Sequence, residues 1–224
     1  MNVDVIRGLY AITPETLDLS KLIEQVRHAI AGGASVVQYR SKLNYDIARK
    51  QAEALRAVTS ETGTIFLVND NSDLALSVGA DGVHIGRDDG DADAISRIRD
   101  QCAKRITTGR SAAFMIGVSC YNELPRAETA VAAGADYVAF GSFFSSLTKP
   151  TAAHADVALI REAKARFAVP IVAIGGITIE NAQQLISANI DAVAVITALF
   201  DADDIEQCAR QFTNLFKSRD HVHQ

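Results

Sequence analysis

Several groups of polar residues have the types and spacing to handle phosphorylated ligands. Gln38-Tyr39-Arg40-Ser41-Lys42 places an amide and two cations at alternate positions. Residues two apart share a face of a strand, so the three project together if the strand persists to Lys42. Asn69-Asp70 follows the apolar run Ile65-Phe66-Leu67-Val68, and Arg87-Asp88-Asp89 follows Gly82 to Gly86. A short carboxylate at such a point suits a hard cation such as Mg²⁺, which takes one or two carboxylates plus phosphate oxygens. The competing role for each Asp is to cap the helix that follows it. The segment Gly141 to Pro150 surrounds Lys149 with hydroxyls, Ser146 and Thr148 among them, as a phosphate clasp would. Gly175-Gly176-Ile177-Thr178 and Ile196-Thr197-Ala198-Leu199 each lead from an apolar run into a helical pattern. Backbone N–H groups at such helix starts bind phosphate, and glycine at 175 and 176 allows close approach to the main chain.

These groups need a scaffold that brings them together. Short β-branched runs alternate with amphipathic stretches throughout. The strands are expected at Gly8 to Thr13, Ser35 to Arg40, Thr64 to Asn69, Gly82 to Gly86, Met115 to Ser119, Tyr137 to Gly141, Pro170 to Gly175 and Ala192 to Thr197. Leu19, Leu22, Ile23, Val26 and Ile30 show helical spacing, as do Ile205, Cys208, Ala209, Phe212 and Phe216. Alternating β and α elements imply a parallel sheet. A repeat then favours closure: Gly33-Ala34-Ser35, Gly79-Ala80-Asp81, Gly134-Ala135-Asp136 and Asn189-Ile190-Asp191 precede strands two, four, six and eight. An open doubly wound sheet would carry a Gly-rich fingerprint after strand one, where Thr13-Pro14-Glu15-Thr16 stands instead. The expected fold is a single-domain α/β (β/α)8 TIM barrel over residues 1–217, with 218–224 as a frayed tail. In this fold the chemistry sits at the C-terminal ends of the strands, where all the polar groups above fall. The Lys104 to Phe114 segment is the longest loop candidate, a lid or a connector.

Composition bounds the function. Hydrophobic residues make up 48% and charged residues 22%, and the net charge is −5, which disfavours a duplex nucleic-acid binder. No apolar run reaches membrane-spanning length, and the N-terminus does not pattern as a signal peptide, so a soluble cytoplasmic protein is expected. Cys102, Cys120 and Cys208 lack metal spacing and read as reduced thiols. His84 lies inside a strand and reads as structural. His221 and His223 read as part of the frayed tail. No Ser-His-Asp or Cys-His arrangement is visible.

With those residues in view, the chain resembles the thiamine phosphate synthase family over nearly its whole length. The resemblance runs through Gly8-Leu9-Tyr10-Ala11-Ile12-Thr13, the Gln38, Arg40, Lys42 triplet, Asn69-Asp70 and Gly79 to Gly86. It continues through Ile116-Gly117-Val118-Ser119, Thr148-Lys149-Pro150 and Ala173-Ile174-Gly175-Gly176-Ile177. It implies a transferase of thiamine biosynthesis that joins an aminopyrimidine methyl pyrophosphate to a thiazole phosphate and releases pyrophosphate. By position, Asp70 and Asp89 would hold one Mg²⁺. Arg40, Lys42, Asn69, Ser119 and Lys149 would hold the pyrophosphate, with Arg40, Lys42, Ser119 and Lys149 as the catalytic set. Gln38 would bond the pyrimidine side, and Ser146, Thr148, Gly176, Ile196 and Thr197 the thiazole phosphate. Partners would be these two small molecules, without nucleic acid or membrane; homo-oligomerisation is open.

There are departures. Arg87 replaces the usual Gln, Ser142 a common Pro, Ser146 a Thr and Thr197 a Ser. The hydroxyl exchanges keep a donor, and Arg87 adds a cation beside the implied metal. Alternative readings are a thiazole tautomerase-like isomerase, a Schiff-base aldolase using Lys149, and a non-catalytic phosphate-ligand-binding barrel. The tautomerase would need a His shortly after strand five, where Ser119-Cys120-Tyr121 offers none.

Overall fold

A computed structural model describes residues 6–86, 92–106, 114–145 and 155–222. Parallel strands cannot be joined by tight turns, so each apolar run must be followed by a crossover, and here every crossover carries a helix. The first half contains β1 (Gly8–Ile12), α1 (Leu19–Ala31), β2 (Val36–Tyr39), α2 (Tyr45–Thr62), β3 (Ile65–Asn69), α3 (Ser72–Val78), β4 (Gly82–Ile85) and α4 (Ala92–Ile106). The second contains β5 (Met115–Tyr121), α5 (Leu124–Ala132), β6 (Tyr137–Phe140), α6 (Val157–Arg166), β7 (Ile171–Ile174) and α7 (Ile179–Ser187). It ends with β8 (Ala192–Val195), α8 (Thr197–Phe200) and α9 (Ile205–Val222). Neighbouring strands pair in sequence order, and β8 pairs with β1, so the sheet closes as a (β/α)8 barrel.

Strand alternation divides the core into two shells. On β1, Leu9 and Ala11 face the layer between strands and helices, whereas Tyr10 and Ile12 belong to the barrel interior. The outer shell is almost wholly apolar. The inner one is not: among its buried residues are Tyr10, Gln38, His84 and Tyr137.

The Gly-Ala-Asp repeat has a structural cause. Gly33, Gly79, Gly134 and Asn189 all have positive φ, the left-handed turn that ends a helix. The Asp two residues later then ties three elements together. Asp81 accepts the Phe66 N–H of β3 at 2.8 Å and pairs with Arg56 of α2. Asp136 does the same with the Ile116 N–H of β5 and Arg99 of α4, and Asp191 with the Ile171 N–H of β7 and Lys164 of α6. Ser35 occupies the fourth equivalent place and donates to the Arg7 and Leu9 carbonyls instead. These partly exposed ion pairs contribute under about 1 kcal/mol each. The strand N–H is the costlier partner to leave unmet, at about 1–3 kcal/mol.

The observed strands match those expected to within two residues at each end. Two boundaries differ further on. Helix α9 runs through Val222, so residues 218–222 are helical where a frayed tail was expected. Arg219 anchors that end, donating to the Ile190 carbonyl at 2.7 Å and lying over the Phe216 ring. Helix α4 extends to Ile106, so the expected 104–114 loop begins as helix, and residues 107–113 lie outside the described residues. Among the described residues no helix is long and apolar enough to cross a membrane.

Candidate active site

Because all strands run in one direction, their C-terminal ends form one rim, and the described residues singled out by chemistry all fall there. Strand β2 stops at Tyr39, so alternation does not carry on to Arg40 and Lys42 as expected of a longer strand. The loop after β1 holds their backbone instead. The Arg40 N–H donates to Thr13 Oγ1 at 3.1 Å, and the Lys42 N–H donates to Glu15 Oε2 at 2.6 Å. Both cationic side chains are exposed at the rim, while Gln38 is buried inside the barrel. Its Nε2 donates to the Tyr10 hydroxyl at 2.7 Å.

At the end of β3 the helix-capping role falls to Asn71, whose side chain accepts the Leu74 N–H at 2.8 Å. Asp70 is therefore not spent on the cap. It sits in the left-handed region, φ 61°, with its own N–H bonded to the His84 carbonyl. A non-Gly residue held there is strained and needs its surroundings to fix it. Here the carboxylate is oriented by the Gly86 N–H at 2.9 Å and by Asn69 Nδ2 at 2.5 Å. Asn69 thus sets the direction of Asp70. Asp89, the second expected carboxylate, lies outside the described residues, as does Arg87. Among the described residues no group of three or more His, Cys, Asp and Glu side chains could by itself hold a metal.

Strand β5 carries Ser119 inward, and its pairing with β6 shifts register between Ser119 and Tyr121. The irregularity separates Ser119, which reaches His84 Nε2 at 2.9 Å, from Cys120, which is buried. Burial pushes the Cys120 thiol up to about 12, so it stays a protonated, inert packing group. Arg126 escaped the sequence reading. It donates to the Ser119 carbonyl at 2.9 Å and to the Gly86 carbonyl at 3.4 Å, stitching the ends of β5 and β4. Its only local sequence signal is a cation in the first turn of α5, which is common on any helix.

Beyond β6, Ser142 accepts the Ala155 N–H on its carbonyl, and its hydroxyl donates to the Phe144 carbonyl. Ser146, Thr148 and Lys149 lie outside the described residues. The two glycines after β7 have a role that sequence did not suggest. Gly175 and Gly176 both have positive φ, and a Cβ on Gly175 would lie 2.0 Å from Ser142 Oγ. A Cβ on Gly176 would lie 2.6 Å from the Ser145 carbonyl oxygen. They let the loop after β6 pack onto the loop after β7. Thr178 is the N-cap residue of α7, and its own N–H donates to Asn181 Oδ1 at 2.9 Å. Ile196 is the N-cap residue of α8, so the Thr197 and Ala198 N–H groups begin that helix without intrahelical carbonyls. Thr197 is exposed and Ile196 half-buried at the same rim.

His84, read from sequence as structural, is buried in the barrel with both ring nitrogens bonded, to Tyr137 and to Ser119. Burial holds its pKa down at about 4, so the ring is neutral at physiological pH. Nothing adjacent to it in sequence could have revealed these partners, since Tyr137 is 53 residues away.

Comparison with known proteins shows the family. A family model described as thiamine monophosphate synthase matches residues 9–199. A thiamine-phosphate synthase of Nitrosospira multiformis is 50% identical over 213 residues, which is 95% of this chain and 86% of the relative. One from Thiobacillus denitrificans is 48% identical, covering 93% of this chain and 94% of the relative. The solved thiamine phosphate pyrophosphorylase of Pyrococcus furiosus superposes with a TM-score of 0.82 at 30% identity, covering 97% of this chain and 99% of that one. The family model and these relatives show that the chain belongs to the thiamine monophosphate synthase family.

Proposed function

We propose that this barrel joins an aminopyrimidine methyl pyrophosphate to a thiazole phosphate, forming thiamine phosphate and releasing pyrophosphate. The observation that carries the reading is 50% identity to a thiamine-phosphate synthase over 95% of this chain and 86% of that relative. The thiazole nitrogen attacks with its own lone pair, so no base is needed to make the nucleophile. The carbon–oxygen bond to pyrophosphate breaks as the electron-rich pyrimidine stabilises the developing cation, and the new nitrogen–carbon bond forms at the same methylene. The burden on the protein is to hold both rings and to stabilise a departing anion.

The described chemistry fits that burden. Two described groups near the strand ends are unsuited to act as bases: His84 is neutral with both nitrogens engaged, and Cys120 is held protonated. Arg40, Lys42, Asn69, Ser119 and Lys149 are assigned to the pyrophosphate oxygens and Gln38 to the pyrimidine. Ser146, Thr148, Gly176, Ile196 and Thr197 are assigned to the thiazole phosphate, the last three through backbone N–H. Asp70 fits a hard cation, because it is an oxygen donor set in place by Gly86 and Asn69 rather than used up in a helix cap. With Asp89 it would hold one Mg²⁺, which when bound supplies positive charge against the leaving group. The reading places the enzyme in the cytoplasm, acting on soluble small molecules.

The tautomerase reading is tested by offering the thiazole phosphate isomer alone, without divalent metal, and following isomer ratio by NMR. No acceleration over buffer is expected. Isomerisation at a catalytic rate would replace the synthase reading with the isomerase one.

A further inference from the structure

The barrel interior contains a continuous line of polar side chains that the assigned contacts do not explain. Gln38 Nε2 lies 2.7 Å from the Tyr10 hydroxyl, which lies 2.8 Å from the Tyr137 hydroxyl. Tyr137 lies 2.9 Å from His84 Nδ1, and His84 Nε2 lies 2.9 Å from Ser119 Oγ. The line crosses the barrel from β2 through β1, β6 and β4 to β5. Space is made for it: a Cβ on Gly117 would lie 1.9 Å from Tyr137 Cζ. An interior filled with aliphatic side chains would be cheaper, since every polar group here had to be desolvated and then paired. Burial raises both phenols well above their ordinary range, so each keeps its proton and must donate to a neighbour.

Only two arrangements place one proton in every contact of the line. In one, the Gln38 amide donates to Tyr10, Tyr10 to Tyr137, and Tyr137 to His84 Nδ1. The imidazole proton then sits on Nε2 and is donated to Ser119, whose own hydroxyl proton is left for a ligand. In the other, every bond is reversed: Ser119 donates inward to Nε2, the ring proton sits on Nδ1, and Gln38 receives through its oxygen. The second arrangement would leave Ser119 with only lone pairs towards the rim, where an anion would be repelled.

We propose that His84 is a positioning residue, held in the Nε2–H tautomer by Tyr137 and Tyr10, which turns Ser119 into an obligate hydrogen-bond donor to an anionic ligand. The polarity also fits the other end. With its N–H committed to Tyr10, Gln38 has its amide oxygen left to accept from an exocyclic amine. As the bond to pyrophosphate breaks, the donor at one end becomes more positive and the acceptor at the other more negative. A chain of aligned hydrogen bonds strengthens with both changes. The ligand assignments and the choice between the two arrangements rest on the synthase reading; the line of contacts does not.

The test begins with the tautomer in the intact protein. Long-range ¹H–¹⁵N spectra of ¹⁵N-histidine-labelled enzyme identify which ring nitrogen carries the proton, and His84→Gln assigns the signal among the five histidines. The expected result is a single Nε2–H form; an Nδ1–H form or rapid averaging between the two overturns the proposal. Kinetics then separate positioning from packing. Gln at 84 can place an N–H where Nε2 stood, whereas Asn is too short to do so. His84→Asn is expected to lower kcat about tenfold, as loss of an outer-shell partner typically does, with KM for the thiazole phosphate unchanged. His84→Gln is expected to recover most of that loss, and equal loss in both variants overturns the proposal. Tyr137→Phe is expected to make the His84 signal average between tautomers; an unchanged Nε2–H form overturns the line of donors. Should the wild-type protein release no pyrophosphate, the synthase reading fails while the wild-type spectrum still decides the tautomer.

Discussion

Asp70→Asn is expected to lower kcat/KM by about 10²–10³ while leaving the fold intact. The asparagine carbonyl can still accept the Gly86 N–H, so the contact that ties the C-terminal ends of β3 and β4 survives. What is lost is the negative charge that would hold the cation on the leaving group. Losing one stabilising contact to a developing anion costs about 2.7–4 kcal/mol, which corresponds to the stated range. The loss should be greater at limiting Mg²⁺ and only partly recovered at saturating metal. The checks are steady-state kinetics across a metal titration, with the thermal transition as a control for folding. A variant with wild-type rate and metal dependence would remove Asp70 from the site.

Gly175→Ala carries the largest expected structural effect. The residue has a φ of 103°, and its added methyl would sit 2.0 Å from Ser142 Oγ and 2.7 Å from Ser142 Cα. Backbone strain of about 1–3 kcal/mol adds to an overpacking cost of about 1–3 kcal/mol. We expect a loss of about 3 kcal/mol, or roughly 10 °C in Tm for a chain of this size. Because the same contact docks the loop after β6 onto the loop after β7, KM for the thiazole phosphate should rise as well. Gly79→Ala is the matched control. Gly79 also has positive φ, at 70°, but nothing lies within 4 Å of its would-be Cβ. It should therefore cost only the left-handed conformation, about 1 kcal/mol. Equal destabilisation in the two variants would mean that the loop contact contributes nothing.

The barrel was legible because its signals are local and repeated. Each quarter writes the same helix end, left-handed turn and strand start into consecutive residues, as at Gly79-Ala80-Asp81 and Gly134-Ala135-Asp136. The rim was legible for the same reason, since Gln38, Asp70, Ser119 and Gly176 all fall at strand ends. What was not legible depends on distance in the chain. Tyr10 and Tyr137 are 127 residues apart, so their hydrogen bond leaves no mark on either neighbourhood. His84 in isolation carries no sign that it reaches Ser119, and Arg126 looks like any helix cation until its two carbonyl partners on β4 and β5 are seen. Gly175 and Gly176 were read by half: the freedom to approach a phosphate was inferred, but the loop packed against them was not. Asp70 was ambiguous between cap and ligand, and the structure gives the cap to Asn71.

The central claim is that this rim couples two phosphorylated rings by releasing pyrophosphate. The most direct measurement is pyrophosphate release with the pyrimidine pyrophosphate alone, with the thiazole phosphate alone, and with both, each with and without Mg²⁺. The account predicts catalytic release only when both substrates and the metal are present, with one thiamine phosphate formed per pyrophosphate. Release from the pyrimidine substrate alone at the same rate, or no thiamine phosphate from the full mixture, would contradict it.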